Sequence, residues 1–538
     1  MISDEDSQVP IWSYRVNLDK RVRSDHPLRG IRSALDLSFV RKAVAHTYGK
    51  KGNKSVPPEV IIRMMLLLFL DDIKSERELM RIIPERLDYL WFLGYGLDDQ
   101  IPDHSVLSKA RKRWGKEVFV SLFSQVVQQC VAAGLVEGSK IHVDASLVAA
   151  NASLGSVRPL DLDVVKAIEQ AAKEQVQKLD EQDDDEDPPS EGGDSTGASI
   201  GPYAKTNRQF RSRTDPDATL VRQGGLKSAL RYKTHRVVDD AHEIITAVET
   251  TTGAVDEASQ LLGLIEAHED ITEQGVRTVI ADARYGSISN LIGCQKAKIR
   301  AHVKLLGEAN RGKGRSEGIY SEEHFSYDPL TNTYRCPANE IMKPRRLHPQ
   351  RQTWEYVTAK GTCLVCKLRA LCTRSRTGRT IHRHRDQASL DKARQIANSK
   401  AAKADLKRRQ HLMERSFADA ANCHGLKRAR WRGLWKQAIQ DLLIATVQNL
   451  RKLIRYLSQS DQALASCFLK LCYWLISLLC ERCIQTLANS APFISLCCQL
   501  TTTVPLDTYR ATARRPSIAL KNLVFQQNQP SIHHSRGC

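Results

Sequence analysis

The stretch Lys140–Ser153, KIHVDASLVAANAS, alternates apolar and polar side chains over its first half. Ile141 and Val143 would lie on one side of a strand, and His142 and Asp144 on the other, which is the pattern of a strand with one buried face. A carboxylate in such a strand needs a partner. Asp144 is therefore either bonded to a nearby backbone donor or one of several acids that meet at a site.

Length and charge limit what the protein can be. The chain has 538 residues, more than one hydrophobic core usually supports, so we expect roughly two to four structural units. The formal net charge is +19, although seven acids are concentrated in Asp180–Asp187. Such a basic balance predicts a polyanionic partner, with nucleic acid ahead of an anionic membrane surface.

The apolar segments and the cysteines of the sequence indicate the cellular compartment to expect. The first thirty residues hold no apolar segment that would direct secretion, which favours a cytoplasmic protein. Fourteen cysteines in such a chain are more typical of metal ligands or reduced core residues than of disulfides. The apolar run Ala463–Cys480 is at the short limit for a membrane span and has Lys470 in its middle, so we interpret it as a packed helix and expect no membrane partner.

Periodicity divides the chain into five segments. The first is helical, and the second has the order strand, insertion, two strands, helix, strand, which predicts a mixed α/β sheet flanked by helices. An acidic stretch within the second segment, 180–201, has the composition of a disordered loop. The third is a basic insertion with cysteines, the fourth is helical, and the tail has no assigned role. The segments are 1–135, 136–306, 307–387, 388–457 and 458–538.

A basic helix is expected near the end of the first segment. PDHSVLSKARKRW offers Asp103 or Ser105 as the N-cap. Its cations could contact DNA, or they could simply form a solvated face. They are Lys109, Arg111, Lys112 and Arg113.

Two further acids have a suggestive context. Asp282 follows an apolar strand in TVIADARYGS, at the end of the sheet where α/β proteins tend to bind ligands. Glu414 lies in a helical stretch, HLMERSFADA. If these two acids met Asp144 they would repel one another, and a pair of divalent cations would relieve that conflict. Oxygen ligands suit Mg²⁺ or Mn²⁺, and two such ions can activate a nucleophile and stabilise a leaving oxygen in phosphodiester chemistry.

Several motifs in order resemble the DDE transposases of bacterial insertion sequences, whose catalytic domain is ribonuclease-H-like. The resemblance extends from about Val56 to Ile454. The helical part is similar through PPEVIIRMMLLLFL, KSERELMRIIPERLDYLWFLG and PDHSVLSKARKRW. The catalytic part is similar through HVDASLVAANAS, TDPDA, YKTHRVVDD, ADARYGS and ERSFADAANCHGLKRARWRGLWKQAIQDLLIATVQNLRKL.

The resemblance implies a function and a site. It implies a metal-binding triad of Asp144, Asp282 and Glu414, a helical N-terminal domain that binds the ends of the element, and a long insertion before the third acid. The activity implied is DNA strand cleavage and strand transfer with two Mg²⁺ or Mn²⁺ ions. The partners implied are the terminal inverted repeats, target DNA and other copies of the chain, in a homodimer or higher oligomer.

The sequence departs from the family pattern around two of these acids. Related enzymes commonly place an Arg four residues before the Glu and a Lys seven after it, where this chain has Gln410 and Ala421, with Arg409 and Lys427 as stand-ins. After the second Asp, the usual DKGY is replaced by DARY. Besides the basic helix, the residues expected to contact DNA are Tyr285, Arg415, Lys427, Arg430 and Arg432.

The insertion has a second candidate site. Four cysteines combine one CxxC with two outlying thiols, which a tetrahedral zinc can accept if the chain folds back on itself. The alternative is a group of reduced thiols. The four are Cys336, Cys363, Cys366 and Cys372.

Other interpretations remain open. His142 and His235 could orient a phosphate or a metal-bound water, or could make structural hydrogen bonds. The whole chain could be a nuclease of the same fold that does not join strands. It could also be a decayed transposase that only binds DNA, which the changed residues around Asp282 and Glu414 would favour.

Overall fold

The computed structural model describes residues 16–49, 55–160, 204–222, 227–306, 318–349 and 352–458. The chain divides into two compact units, Met1–Tyr456 and Leu457–Cys538. The acidic stretch 180–201 and the apolar run Ala463–Cys480 lie outside the described residues. In the part of the chain that is described, no helix has the length and apolar character needed to cross a membrane.

The N-terminal region is helical, as predicted. Helix α4 begins at Pro58, which suits the first turn of a helix. Helix α5 is capped by Ser75, whose Oγ accepts a hydrogen bond from the Glu78 N–H at 3.1 Å. The helices are α1 (Leu18–Arg21), α2 (Pro27–Ala34), α3 (Ser38–Val44), α4 (Pro58–Leu70), α5 (Glu76–Ile82), α6 (Leu87–Leu93), α7 (Ser105–Trp114) and α8 (Glu117–Ala132).

A mixed sheet follows. Strand β1 pairs antiparallel with β5, β5 pairs antiparallel with β6, and β1, β7 and β8 run parallel, so that the order is β6-β5-β1-β7-β8. This is the ribonuclease-H-like order, and β4 also pairs along β5. The elements are β1 (Lys140–Ala149), β2 (Val157–Pro159), α9 (Ala204–Gln209), β3 (Phe210–Ser212), β4 (Thr219–Val221), β5 (Ala229–Asp239), β6 (Ile245–Thr252), α10 (Leu261–Thr272), β7 (Thr278–Ala281), α11 (Ile288–Lys296) and β8 (Arg300–His302).

Strand β1 is covered on both faces and is not half-exposed. Ile141 and Val143 are completely buried in a cluster with residues of α10 and α11. His142 is also completely buried, on the opposite face. The sequence pattern was therefore correct about which residues share a face, but the polar face is covered as well.

The insertion is more regular than its sequence pattern predicted. It forms an antiparallel sheet in the order β13-β12-β11-β10-β9, with a small core of its own. Its strands are mostly short and few of their side chains are buried, so they show little alternation of apolar and polar residues. The elements are β9 (Ser326–Asp328), β10 (Thr333–Arg335), β11 (Ile341–His348), β12 (Thr353–Val357), α12 (Arg369–Cys372) and β13 (Thr380–His384), and the buried core residues are Phe325, Tyr334, Met342, Tyr356 and Ile381.

Three helices complete the described chain: α13 (Gln387–Asn398), α14 (Lys400–His424) and α15 (434–458). Helix α15 covers the edge strand β6, because the Asn449 amide accepts from the Ile245 N–H at 2.9 Å and donates to the Ile245 carbonyl at 2.7 Å. Such pairing satisfies backbone groups that an edge strand would otherwise leave open.

The N-terminal helices share one core with the rest of this unit. Phe69 of α4 is completely buried, its ring meets the edge of Trp431 at a centroid distance of 6.1 Å, and its carbonyl accepts from His424. The same apolar cluster contains Leu230 of β5 and Met413 of α14. The sequence boundary near residue 135 is therefore not a boundary between separate hydrophobic cores.

We expect Phe69→Ala to lower the free energy of unfolding by about 3–5 kcal/mol, because it removes a buried ring from this shared core. Leu87→Ala on α6, where the side chain is 42% exposed, is the control and should change it by less than about 0.5 kcal/mol. Denaturant unfolding followed by circular dichroism measures both. Equal effects of the two substitutions would contradict the shared core.

Candidate active site

Strand pairing places two of the predicted acids side by side. In the parallel pair β1 and β7, Val143 is opposite Ala281, the last residue of β7. The residue after each of them is an aspartate, Asp144 within β1 and Asp282 directly after β7. Residues at matched positions of neighbouring strands point to the same face of a sheet. The two carboxylates therefore share one face, at the end of β7 where the chain leaves the sheet.

Burial and a nearby negative charge raise the pKa of each acid. Burial raises the pKa of Asp144 to about 6, and the negative charge of Asp282 acts in the same direction. Burial also raises the pKa of Asp282, followed by the negative charge of Glu257. Each carboxylate accepts one local backbone hydrogen bond, Asp144 from Ala145 at 2.8 Å and Asp282 from Arg284 at 2.9 Å. These bonds only partly offset the cost of ionising two neighbouring acids.

A guanidinium contacts one acid of this pair. Nη1 of Arg409, on α14, donates to Oδ2 of Asp144 at 2.6 Å. The two side chains are 13% and 23% exposed. Among the neighbouring charges, Arg409 has the largest lowering effect on the pKa of Asp144, and it also lowers that of Asp282.

Glu414 is not brought to the two aspartates in this structure. It lies on the exposed side of α14, where its Oε1 accepts from the Gln410 amide at 3.0 Å. The buried side of the helix at this level is formed by Met413 and Phe417. The helix therefore directs Arg409 toward Asp144 and directs Glu414 toward solvent.

The sequence reasoning missed a third acid near Asp282. Glu257 precedes α10, is 6% exposed, and pairs with Lys233 at 3.1 Å and with Arg284 at 3.2 Å. Among the neighbouring charges, that of Glu257 has the largest raising effect on the pKa of Asp282. Nothing in the sequence distinguishes it, because an acid at the start of a helix is common for reasons of the helix dipole.

Both histidines singled out from the sequence make structural hydrogen bonds. Nε2 of His142 lies 2.7 Å from Oδ1 of Asp240. His235 is completely buried between the Tyr285 hydroxyl at 3.0 Å and the Thr251 hydroxyl at 3.1 Å, and burial lowers the pKa of this histidine to about 3. It is therefore neutral at physiological pH. Tyr285 is completely buried, so the expected contact of this residue with DNA is not supported.

The residues expected to contact DNA fall into two groups. Arg111 is buried against Glu76 and lies 3.8 Å from the Trp431 ring centroid, and Arg430 is bonded to Asp72 at 2.9 Å. For these two a phosphate contact is not supported, because their guanidinium groups are used inside the protein. The others lie at or near the surface: Lys109, Lys112 and Arg113 are exposed, Arg415 pairs with Glu243, Lys427 donates to Ser146 at 2.8 Å, and Arg432 donates to the Asn151 carbonyl at 3.0 Å.

The insertion brings its four cysteines together around one cavity, which they line with Met342 and Arg379. Burial raises the pKa of the Cys372 thiol, and the other three cysteines act in the same direction. The Glu340 N–H donates to Sγ of Cys336 at 3.3 Å. Within the described ranges, however, no three His, Cys, Asp or Glu side chains are grouped closely enough to hold a metal ion as they stand.

Comparison with known proteins identifies the family. Residues 16–113 match the family described as a transposase domain (DUF772), and residues 335–454 match the family described as a transposase DDE domain. The chain belongs to the DDE-type transposases. The second match contains the cysteine cluster and Glu414 of the transposase, whereas Asp144 and Asp282 lie between the matched stretches. No curated protein matches the chain.

One solved structure is similar to the transposase over most of its length. It is a piggyBac transposase in a synaptic complex with hairpin DNA, determined by cryo-electron microscopy. The identity is 10%, the TM-score is 0.30, and the match covers 81% of this chain and 76% of that one. The likeness is too weak to bear on the site.

The pKa of Asp144 gives a stability prediction. Because it is about 6 in the folded protein and near 3.8 in the unfolded chain, the folded state binds the extra proton between about pH 4 and pH 6. Asp144 therefore stabilises the fold at low pH, and that contribution is lost as the pH rises through about 6.

We expect Asp144→Asn to melt above the parent in EDTA at pH 7.5, since the neutral amide avoids the cost of the charge, which is on the order of 2 kcal/mol. The difference should shrink at pH 4.5. Melting curves of both proteins at the two pH values measure it. A difference that grows on acidification would have the wrong sign for a raised pKa.

Proposed function

We propose that this DDE-type transposase cleaves DNA at the ends of an insertion sequence and joins the freed 3′ ends to target DNA. The observation that carries the proposal is the pair Asp144 and Asp282, adjacent on parallel strands of a ribonuclease-H-like sheet and facing the same side. Two buried carboxylates in repulsion form a site that favours cations.

The donor set fits a divalent metal. Carboxylate oxygens are hard ligands of the kind that Mg²⁺ and Mn²⁺ prefer. Asp144 and Asp282 would hold the metal, and Glu414, by family resemblance, would complete its shell. When bound, a pair of such ions would activate the attacking oxygen and stabilise the leaving oxygen of the phosphodiester.

The surrounding residues hold this pair in place. The Ala145 and Arg284 N–H groups each fix one carboxylate oxygen. The buried Lys233 and the partly exposed Arg284 are both bound to Glu257, so their charges support the loop at the start of α10. His235 forms a hydrogen bond of 3.0 Å with the hydroxyl of Tyr285, three residues after Asp282.

The DNA partner is supported by charge. Lys109 and Lys112 are exposed on α7, within the stretch that matches the transposase domain family. Double-stranded DNA, in the form of terminal inverted repeats and target, is the polyanion that this activity requires, and phosphate contacts would supply most of the affinity. We propose a homodimer or higher oligomer on DNA, because two element ends must be processed together. The protein would act in the cytoplasm, at the nucleoid of a bacterium.

A second candidate is a transposase that binds DNA without cutting it. The observations that favour it are the exposed position of Glu414 and the cation that occupies Asp144. A nuclease that cleaves without joining is a third. An assay that uses the DNA flanking the reading frame distinguishes the three candidate functions. Bound, nicked and joined DNA products are measured separately.

We expect Asp144→Asn and Asp282→Asn each to lower strand cleavage in Mg²⁺ by at least about 100-fold, because each removes one charge from a site built around cations. Binding of the end DNA should change little. Glu414→Gln should have the same effect, whereas Glu266→Gln, on the exposed side of α10, is the control. Cleavage is measured on labelled duplex DNA. If Glu414→Gln retains activity, Glu257→Gln tests whether the third acid is the buried one.

We also propose a structural zinc in the insertion, held by Cys336, Cys363, Cys366 and Cys372. The four thiols line one cavity, and among the described residues of the insertion the adjoining core has five buried apolar side chains. A sheet with so small a core commonly needs a metal or a disulfide to be stable. A bound zinc would draw the thiols, as thiolates, to a common centre.

The zinc proposal predicts one zinc per chain in the purified protein, substantially reduced by Cys363→Ser. Cys423→Ser replaces an exposed cysteine of α14 outside the cluster and should leave the zinc content unchanged. Elemental analysis of the dialysed proteins measures it. If the purified protein contains no zinc, or if the two variants contain the same amount, the four cysteines are a group of thiols and not a zinc site.

A further inference from the structure

The cation at the aspartate pair belongs to the protein itself. Arg409 is the residue whose guanidinium reaches Asp144, at 2.6 Å. Its positive charge also lowers the pKa of Asp282. It therefore occupies the same electrostatic position, beside two carboxylates, that a divalent metal would take.

The other cations near the pair are engaged elsewhere. Lys233 is bound to Glu257 at 3.1 Å, Arg408 to Asp240 at 2.7 Å, and Lys427 to the Ser146 hydroxyl at 2.8 Å. Arg409 alone, among the cations whose ion pairs are described, has Asp144 as its partner.

The contact is not that of a fully satisfied structural ion pair. Nε of Arg409 is buried and has no hydrogen-bond partner among the described residues. A buried donor without a partner is costly, and a buried ion pair gains little over its desolvation unless its remaining donors are satisfied. The guanidinium of Arg409 would therefore give up its contact with Asp144 once another cation binds that carboxylate.

We propose that Arg409 is an exchangeable counterion of the catalytic aspartates: it neutralises Asp144 in the metal-free protein and must give up that carboxylate when the divalent ion binds. This inference rests on the proposed function, since it takes Asp144 as a metal ligand. Arg409 is then a positioning residue, which holds Asp144 and keeps the metal-free site folded while it lowers the apparent affinity for the metal.

The physical reason is competition for one carboxylate. Oδ1 of Asp144 accepts from the Ala145 N–H and Oδ2 accepts from Arg409. A metal held by this carboxylate would meet the guanidinium there, and the two positive charges would repel each other in a partly buried site. Any free energy held in the Arg409 contact is subtracted from metal binding. A hydrogen bond to a charged group is strong enough to change an affinity by about ten-fold or more.

The test measures Mn²⁺ binding to the full-length protein by the electron paramagnetic resonance signal of the free ion. We expect Arg409→Gln to bind Mn²⁺ about ten-fold or more tightly than the parent, and to melt at a lower temperature than the parent in EDTA. Arg408→Gln is the matched control. It removes the neighbouring charge of the same helix, which pairs with Asp240 and is 54% exposed, and it should bind Mn²⁺ like the parent.

The outcomes separate this inference from the proposed function. If Asp144→Asn leaves Mn²⁺ binding unchanged, the aspartate site itself is wrong and the inference is overturned with it. If Asp144→Asn abolishes binding but Arg409→Gln and Arg408→Gln bind alike, only the counterion role is overturned.

A second pair of variants covers the case in which Arg409→Gln does not fold. Arg409→Lys keeps the charge but shortens its reach, so it should weaken the contact with Asp144 and tighten Mn²⁺ binding by a smaller factor. Arg408→Lys is its control. Equal affinities in these two variants would overturn the counterion role.

Discussion

The site depends on the parallel pairing of β1 with β7. That register places Asp144 next to Asp282, and it forces two like charges into a buried position that neither would occupy alone. The cost is visible in the raised pKa of both acids. Everything around the pair serves either to hold it or to neutralise it, because a sheet cannot relieve the repulsion without giving up its hydrogen bonds.

Helix α14 is the element that supplies the neutralising charge. Polar contacts hold it against the sheet at successive positions along the helix. Asp405 contacts Lys140 at 2.6 Å and His302 at 2.8 Å, and Arg408 pairs with Asp240 at 2.7 Å. Arg409 then reaches Asp144 one step further along the same helix. The position of α14 therefore decides which of its side chains faces the aspartates, and in this structure that side chain is a cation.

The shared core connects the helices around the site to distant parts of the chain by packing. Apolar residues of α4 pack with those of α14 and α15 in one cluster, and α15 closes the edge of the sheet at β6 through Asn449. The region that matches a transposase domain family and the region that matches a DDE domain family thus support the same interior. Displacement of α14 would be resisted by this core as well as by its ion pairs.

The sequence by itself determined the elements whose patterns are local. Alternation around Asp144 and the apolar run before Asp282 predicted strands that the structure confirms. The ordered motifs indicated the family and a ribonuclease-H-like mixed sheet. Local spacing suffices in these cases because each signal comes from residues within a few positions of one another.

Only the tertiary structure decided which charges meet. It set Arg409 on Asp144, Glu257 beside Asp282, and Glu414 toward solvent. It also formed a sheet from the short strands of the insertion and buried Arg111 and Tyr285, which the sequence had suggested for DNA. The physical reason is that the face which a long helix presents depends on its rotation and depth against the sheet. Both follow from contacts between residues more than a hundred positions apart. A local sequence pattern carries no information about such contacts.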